Sequence, residues 1–278
     1  MNEYSWLIRQ VKKNTRALDS GRILLWSHLG LGDQISASPI VEQLLSRNIE
    51  VVWPVKPRNL DFLNLAFNNW GGLSTVKLND SVREDFQIRK IAFDTKSRVV
   101  SLGHGHLSSM RTLFPEYTLN SLFNLFIGVN PLNLVSRSLR DSLLRLDQED
   151  PPLEPYAFLD HHPGTAREIP NRVLSGIKER GFGLIENPRE LPLYSMLRLL
   201  DSAQELHMVN SAPLCLALTT DAEAPVRIHY DSQSDPVSKS YERWKTVNLG
   251  STCNDESKEK PISGAIEDAR LEILSFQS

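Results

Sequence analysis

Apolar and polar positions along this chain fall into blocks that switch between strand-like runs and helical spacing. Ile23–Trp26 is a short unbroken apolar run, as expected of a strand buried on both faces in a parallel sheet. Gly30 and Gly32 then make a tight turn, and Ile40, Val41, Leu44 and Leu45 recur at helical spacing. Val51–Val55 is predicted as a second strand and Asn59–Phe67 as a short helix with Leu60, Leu63 and Ala66 or Phe67 inward. Leu73–Leu78 and Arg98–Leu102 read as further strands with a helix over Val82–Ala92 between them, and helical patterns cover Leu119–Ile127 and Leu132–Leu146. Ahead of all these, Met1–Leu18 carries Arg9, Lys12, Lys13 and Arg16 and lacks the apolar core of a signal peptide, so it is predicted as a helix.

Asp147–Pro155 is acidic and proline-rich, a poor helix or strand and a good exposed linker. The domain boundary is predicted there, giving domains 1–148 and 149–278. Beyond it the alternation restarts. Tyr156–Leu159, Leu184–Ile185, Glu205–Val209 and Val226–Tyr230 are the predicted strands; Arg172–Arg180 is a short helix or loop, and Tyr194–Ser202 and Ala212–Leu218 are helices. The predicted class is α/β: two Rossmann-like lobes with a ligand cleft between them, at the C-terminal ends of both sheets. The tail after Leu249 is polar, rich in Ser, Glu and Lys, and is expected to be partly disordered.

Composition narrows the partners. With 278 residues, 40% hydrophobic and 23% charged, the chain can bury a sizeable core. A formal charge of −3 gives no electrostatic reason to expect nucleic acid or an anionic membrane as the main partner. Cys215 and Cys253 lie far apart without metal-ligand spacing, which suits a reduced, cytoplasmic setting. No run approaches the roughly 18 apolar residues of a membrane span, which leaves only peripheral membrane association open.

The strand, glycine turn and helix at residues 23–45 point backbone N–H groups and a helix N-terminus at whatever binds there. Asp33 stands at the mouth of that helix. A carboxylate there repels phosphate and suits another job, accepting a proton from a substrate hydroxyl. A dinucleotide fingerprint fails, because its third glycine is Ile35 and the second strand ends in Lys56 rather than an acid. That disfavours an NAD-dependent oxidoreductase, and the absence of Gly-Lys-Ser/Thr disfavours a Walker loop. Two histidine pairs, His104 with His106 and His161 with His162, follow predicted strands and can line the cleft. No Cys or carboxylate at zinc-ligand spacing accompanies them. Surface or capping hydrogen bonds are their plainer role, with His161 or His162 as a competing base. No Gly-x-Ser-x-Gly elbow supports a hydrolase.

Gly30-Leu-Gly-Asp-Gln-Ile-Ser-Ala-Ser-Pro-Ile40 resembles the N-terminal motif of heptosyltransferase-like glycosyltransferases of the GT-B fold. Leu200-Asp-Ser-Ala-Gln-Glu-Leu-His-Met-Val-Asn-Ser-Ala-Pro-Leu-Cys-Leu-Ala217 is similar to the helix, strand, serine turn and helix that face the donor phosphates in that family. Tyr156-Ala-Phe-Leu-Asp-His-His-Pro-Gly-Thr-Ala-Arg167 resembles the first strand and loop of the C-terminal lobe in small relatives. The pattern spans residues 22–248. One departure stands out: the usual Asp-Ser-Gly followed by a histidine reads Asn210-Ser211-Ala212, with Cys215 nearby.

The resemblance implies an inverting hexosyl or heptosyl transfer from a nucleotide-sugar donor to a glycan or lipopolysaccharide-type acceptor. It implies neither an essential metal nor a cofactor beyond the nucleotide-sugar substrate. Asp33 is then the base. Gly30, Gly32, Arg167, Asn210 and Ser211 meet the donor and its phosphates, with Lys56, His104, His106, His161 and His162 as further cleft residues. The departure around Ser211 motivates the alternative, a non-catalytic carbohydrate- or nucleotide-binding relative.

Overall fold

β1 (Arg22–Trp26) is the axis of the first sheet: Ile23, Leu24 and Leu25 are wholly buried, as the apolar run requires. The structure, a computed structural model, describes residues 4–26, 30–102, 107–114, 117, 119–132, 134–147, 150–161, 169, 171–209, 211–230, 246–248 and 264–276. The chain divides into two compact units, residues 1–134 with 255–278, and residues 135–254.

In the first unit β1 pairs in parallel with β2 (Glu50–Val55) and β4 (Arg98–Ser101), and β2 pairs in parallel with β3 (Leu73–Lys77). The order β3-β2-β1-β4 is that of a doubly wound half, and its switch point lies between β1 and β4. The helices are α1 (Ser5–Leu18), α2 (Leu31–Ser46), α3 (Leu60–Phe67), α4 (Glu84–Asp94), α5 (Leu107–Leu113) and α6 (Leu119–Ile127). Pro39 lies inside α2, which continues through it. Buried Asn14 of α1 donates to Phe126 O at 3.0 Å and Ser101 O at 3.3 Å, tying α6 and the end of β4 to the first helix.

The second unit holds α7 (Arg137–Leu146), β5 (Tyr156–Asp160), α8 (Asn171–Glu179), β6 (Gly183–Glu186), α9 (Leu197–Ser202), β7 (Glu205–Met208), α10 (Ala212–Thr219), β8 (Val226–Tyr230) and β9 (Thr246–Asn248). Its parallel sheet runs β6-β5-β7-β8-β9, with the switch point between β5 and β7.

Several expectations shift. Leu132–Leu146 is helical only from Arg137, because Ser136 caps the helix, its Oγ accepting from Leu139 N–H at 3.2 Å. Arg172–Arg180 resolves as helix α8. Asp147, read as part of an exposed linker, is buried: its Oδ2 accepts the Arg198 N–H at 2.7 Å in the first turn of α9. The polar tail contains α11 (Gly264–Leu274), whose Ala269 and Ile273 are wholly buried against Leu7, Ile8, Val11 and Phe114 of the first unit.

Candidate active site

Both sheets end their strands, at the C-terminal edge, in the residues that carry chemistry. In the first unit α2 starts after β1, at the switch point. Gly30 is its N-cap and Asp33 its third residue, and Asp33 Oδ2 accepts the Gly30 N–H at 3.3 Å. The carboxylate therefore stays at the helix mouth. A Cβ on Gly30 would lie 3.1 Å from that oxygen, so the glycine makes room for the carboxylate. Gly32 lies in the first turn of α2.

Behind Asp33, Gln34 is wholly buried. Its Nε2 donates to Pro54 O at 3.4 Å and its Oε1 accepts from Asn59 Nδ2 at 2.8 Å. These bonds fix the first turn of α2 to the end of β2 and to the turn at Pro57–Asn59. Lys56 follows β2, as expected, and its Nζ is 4.0 Å from Glu84 Oε2. The other Glu84 oxygen accepts Trp26 Nε1–H at 2.6 Å, so the start of α4 is held at the same edge. Asn59 and Glu84 carried no motif signal in the sequence, and Gln34 stands inside the Gly30–Ile40 motif but was not singled out there.

In the second unit Ser211 caps α10, its Oγ accepting Leu214 N–H at 3.3 Å, and its proton goes to Asp160 Oδ2. Asp160, nearly buried at the end of β5, also accepts Asn187 Nδ2 at 2.7 Å through Oδ1. The structure thus places a carboxylate beside the Ser211 cap. His161 is buried next to it. Its Nδ1 accepts the Ile169 N–H at 3.3 Å, so the neutral ring carries its proton on Nε2. That Nε2 is buried without a hydrogen-bond partner among the described residues, and Glu186 Oε1 is 3.9 Å away. His161, Glu186, Asn187 and Arg189 line a pocket of about 340 Å³. Its size falls at the lower end of small-molecule sites.

The sequence pointed to Ser211 and His161 and missed Asp160, Glu186, Asn187 and Arg189. A visible signal was an acid ending an otherwise apolar strand, Asp160 after Leu159 and Glu186 after Ile185. His104, His106, His162, Arg167 and Asn210 lie outside the described residues.

A second polar group occupies one face of β7 and β8. Glu205 is almost fully buried and accepts hydrogen bonds from Arg180 and, at 2.7 Å, from Arg227 Nε. Burial pushes its carboxyl upward, but the two guanidinium bonds prevail and hold it below the usual carboxylate range. His207 Nδ1 and His229 Nε2 are hydrogen-bonded at 2.8 Å, one ring donating and the other accepting, and His207 Nε2 is 3.5 Å from Glu205 Oε2. Burial pushes His207 down to about 4 and His229 down to about 3, so both rings are neutral near pH 7. Among the described residues, no group of three or more His, Cys, Asp or Glu is arranged to hold a metal ion, and no helix is long and apolar enough to cross a membrane.

No protein-family model matches the chain, and no curated protein matches it in sequence. Solved structures do match. The chain is similar to the iron-containing dodecameric glycosyltransferase TibC from enterotoxigenic E. coli, with a TM-score of 0.55 and 16% identity over 91% of this chain and 74% of that one. It is also similar to the glycosyl transferase family 9 protein of Veillonella parvula, at 0.51 and 12% over 83% and 86%. The E. coli heptosyltransferase WaaC, solved with ADP, matches at 0.50 and 13% over 92% and 99%. At such identities the likeness establishes the fold: two Rossmann-like units of the kind found in heptosyltransferase-like GT-B glycosyltransferases.

Proposed function

We propose that this protein is a glycosyltransferase that moves a sugar from a nucleotide-activated donor to a hydroxyl of a glycan or lipopolysaccharide-type acceptor, with inversion and without an essential metal. One observation carries the proposal: a carboxylate, Asp33, held at the mouth of α2 on the switch-point edge of a GT-B sheet. Asp33 takes the proton of the acceptor hydroxyl as that oxygen bonds to the anomeric carbon. The bond from that carbon to the donor phosphate breaks, and the nucleoside diphosphate leaves with the electron pair.

The second unit supplies donor contacts. The pocket of His161, Glu186, Asn187 and Arg189 takes part of the donor, with the exposed Glu186 carboxylate accepting from ribose hydroxyls and the Arg189 guanidinium donating to phosphate oxygens. The ADP bound by WaaC makes ADP-sugars the first donors to try. Arg167 and Asn210 join the donor site on the strength of the sequence resemblance alone.

A binding-only role is the alternative, motivated by the departure around Ser211, where Ala212 stands in place of the usual glycine and Cys215 lies nearby without the usual histidine. Binding and turnover across ADP-, GDP-, UDP- and CMP-sugars separate the two. Selective binding with release of nucleoside diphosphate supports transfer; tight binding with no release in the presence of a range of glycan acceptors supports the binding module.

A further inference from the structure

Helix α1 carries four basic residues and no acid, in a chain whose formal charge is −3. Arg9, Lys12, Lys13 and Arg16 recur three or four residues apart and are exposed. They form one stripe opposite the face that buries Leu7, Val11 and Leu18. Like charges at this spacing repel and weaken a helix. The helix C-terminus offsets this for Arg16, in the last turn, but not for the other three.

A fifth cation joins them from elsewhere in the chain. Arg98, the first residue of β4, lines with the α1 cations a pocket of about 800 Å³, within the range of small-molecule sites. Asp19 is the one acid among the described lining residues. None of the five cations makes an ion pair among the described residues. The pocket therefore selects an anion, and its geometry says which kind. The guanidinium forks of Arg9, Arg16 and Arg98 match phosphate oxygens. Arg9 and Arg16 stand two turns apart, roughly 10 Å along the axis, which suits a short chain of linked phosphates better than a single one. A bilayer finds no anchor here, since the apolar lining residues Ala17 and Val99 are buried and half-buried.

We infer that this pocket binds a soluble oligophosphate, a chain of two or more linked phosphate groups, with Arg9, Arg16 and Arg98 as forks and Lys12 and Lys13 as point charges. Arg98 is in register with Ile23, near the start of β1, whereas Asp33 follows the other end of that strand. The site thus lies at the sheet edge opposite the proposed base, and the inference does not depend on the transfer chemistry.

The test is calorimetric titration of the full chain with inorganic tripolyphosphate, pyrophosphate and orthophosphate. The expected result is saturable binding, tightest for tripolyphosphate and weakening as salt rises. In K12Q/K13Q the tripolyphosphate affinity falls about tenfold or more, while the melting temperature without ligand stays at or above that of wild type, because repulsion on the stripe is relieved. D19N, which removes the acid from the lining, binds more tightly. R83Q/K90Q removes two cations elsewhere, each paired with an acid, and binds like wild type. No saturable binding by wild type, undiminished binding by K12Q/K13Q, or an equal loss in R83Q/K90Q would each overturn the inference. So would binding to phosphatidylglycerol vesicles or to duplex DNA that K12Q/K13Q abolishes and tripolyphosphate fails to displace, since that assigns the cations to a macromolecular surface.

Discussion

Asp33 Oδ2 accepts the backbone N–H of Gly30 at 3.3 Å, so the proposed base is steered by the glycine three residues before it. Gly30 has φ −68° and ψ 150°, a conformation any residue adopts, so its value here is space rather than backbone freedom. Gly30→Ala places a Cβ 3.1 Å from the carboxylate oxygen, and the flexible carboxylate is what gives way. The expected outcome is stability within about 0.5 kcal/mol of wild type but a clear drop in kcat with little change in donor KM. Steady-state kinetics beside a thermal melt check it.

Ser211 serves two partners at once, the α10 backbone and Asp160. Ser211→Ala removes the cap and leaves Asp160 with Asn187 alone. The expected loss is about 1–2 kcal/mol of unfolding free energy, the scale of a lost cap. Urea titration measures it, and an unchanged midpoint would show that the pair contributes nothing.

Stability depends on pH through His207 and His229. Folding lowers both from an ordinary 6.5, to about 4 and about 3, mainly by burial. Between those values the unfolded chain binds protons that the folded chain refuses. Their contribution is complete above pH 6.5 and is lost as pH falls from there toward 4, at about 1.4 kcal/mol per pH unit for each histidine. Glu205, held below its usual 4.5, adds a loss only at lower pH still. His229→Gln is expected to lower the slope of unfolding free energy against pH by about one proton over that window. An unchanged slope would place the titration elsewhere.

Helix α11 is predicted to stabilise the first unit. Ile273 is wholly buried beside residues of α1 and α5, and Ile273→Ala is expected to cost about 2–4 kcal/mol. Denaturant unfolding reads this directly, and a cost under 1 kcal/mol would mean that the helix adds little to that core.

How much was legible follows from where each signal resides. Ile23–Trp26 and Tyr156–Leu159 showed as strands because a buried parallel strand is apolar at every position. Asp33 was visible because its turn and helix are contiguous in sequence. Asp160, Asn187 and Ser211 meet across gaps of 27 and 51 residues, and only the pairing of β5 with β6 and β7 brings them together. Glu205, His207, Arg227 and His229 stand two apart on neighbouring strands, which does encode a shared polar face. The register of β7 against β8 was needed to pair them. Helix α11 escaped notice because its buried positions are few and their partners lie in α1 and α5, at the opposite end of the chain or in its middle.

The most direct measurement is the initial rate of nucleoside diphosphate release from a nucleotide-sugar panel, with acceptor, by wild type and Asp33→Asn side by side. The predicted result is release from one donor class by wild type. Asp33→Asn, folded and binding the same donor with near-equal affinity, is slower by about 100-fold or more. An Asp33→Asn enzyme as active as wild type would contradict Asp33 as the base, and a wild type that turns over no donor would contradict the glycosyltransferase assignment itself.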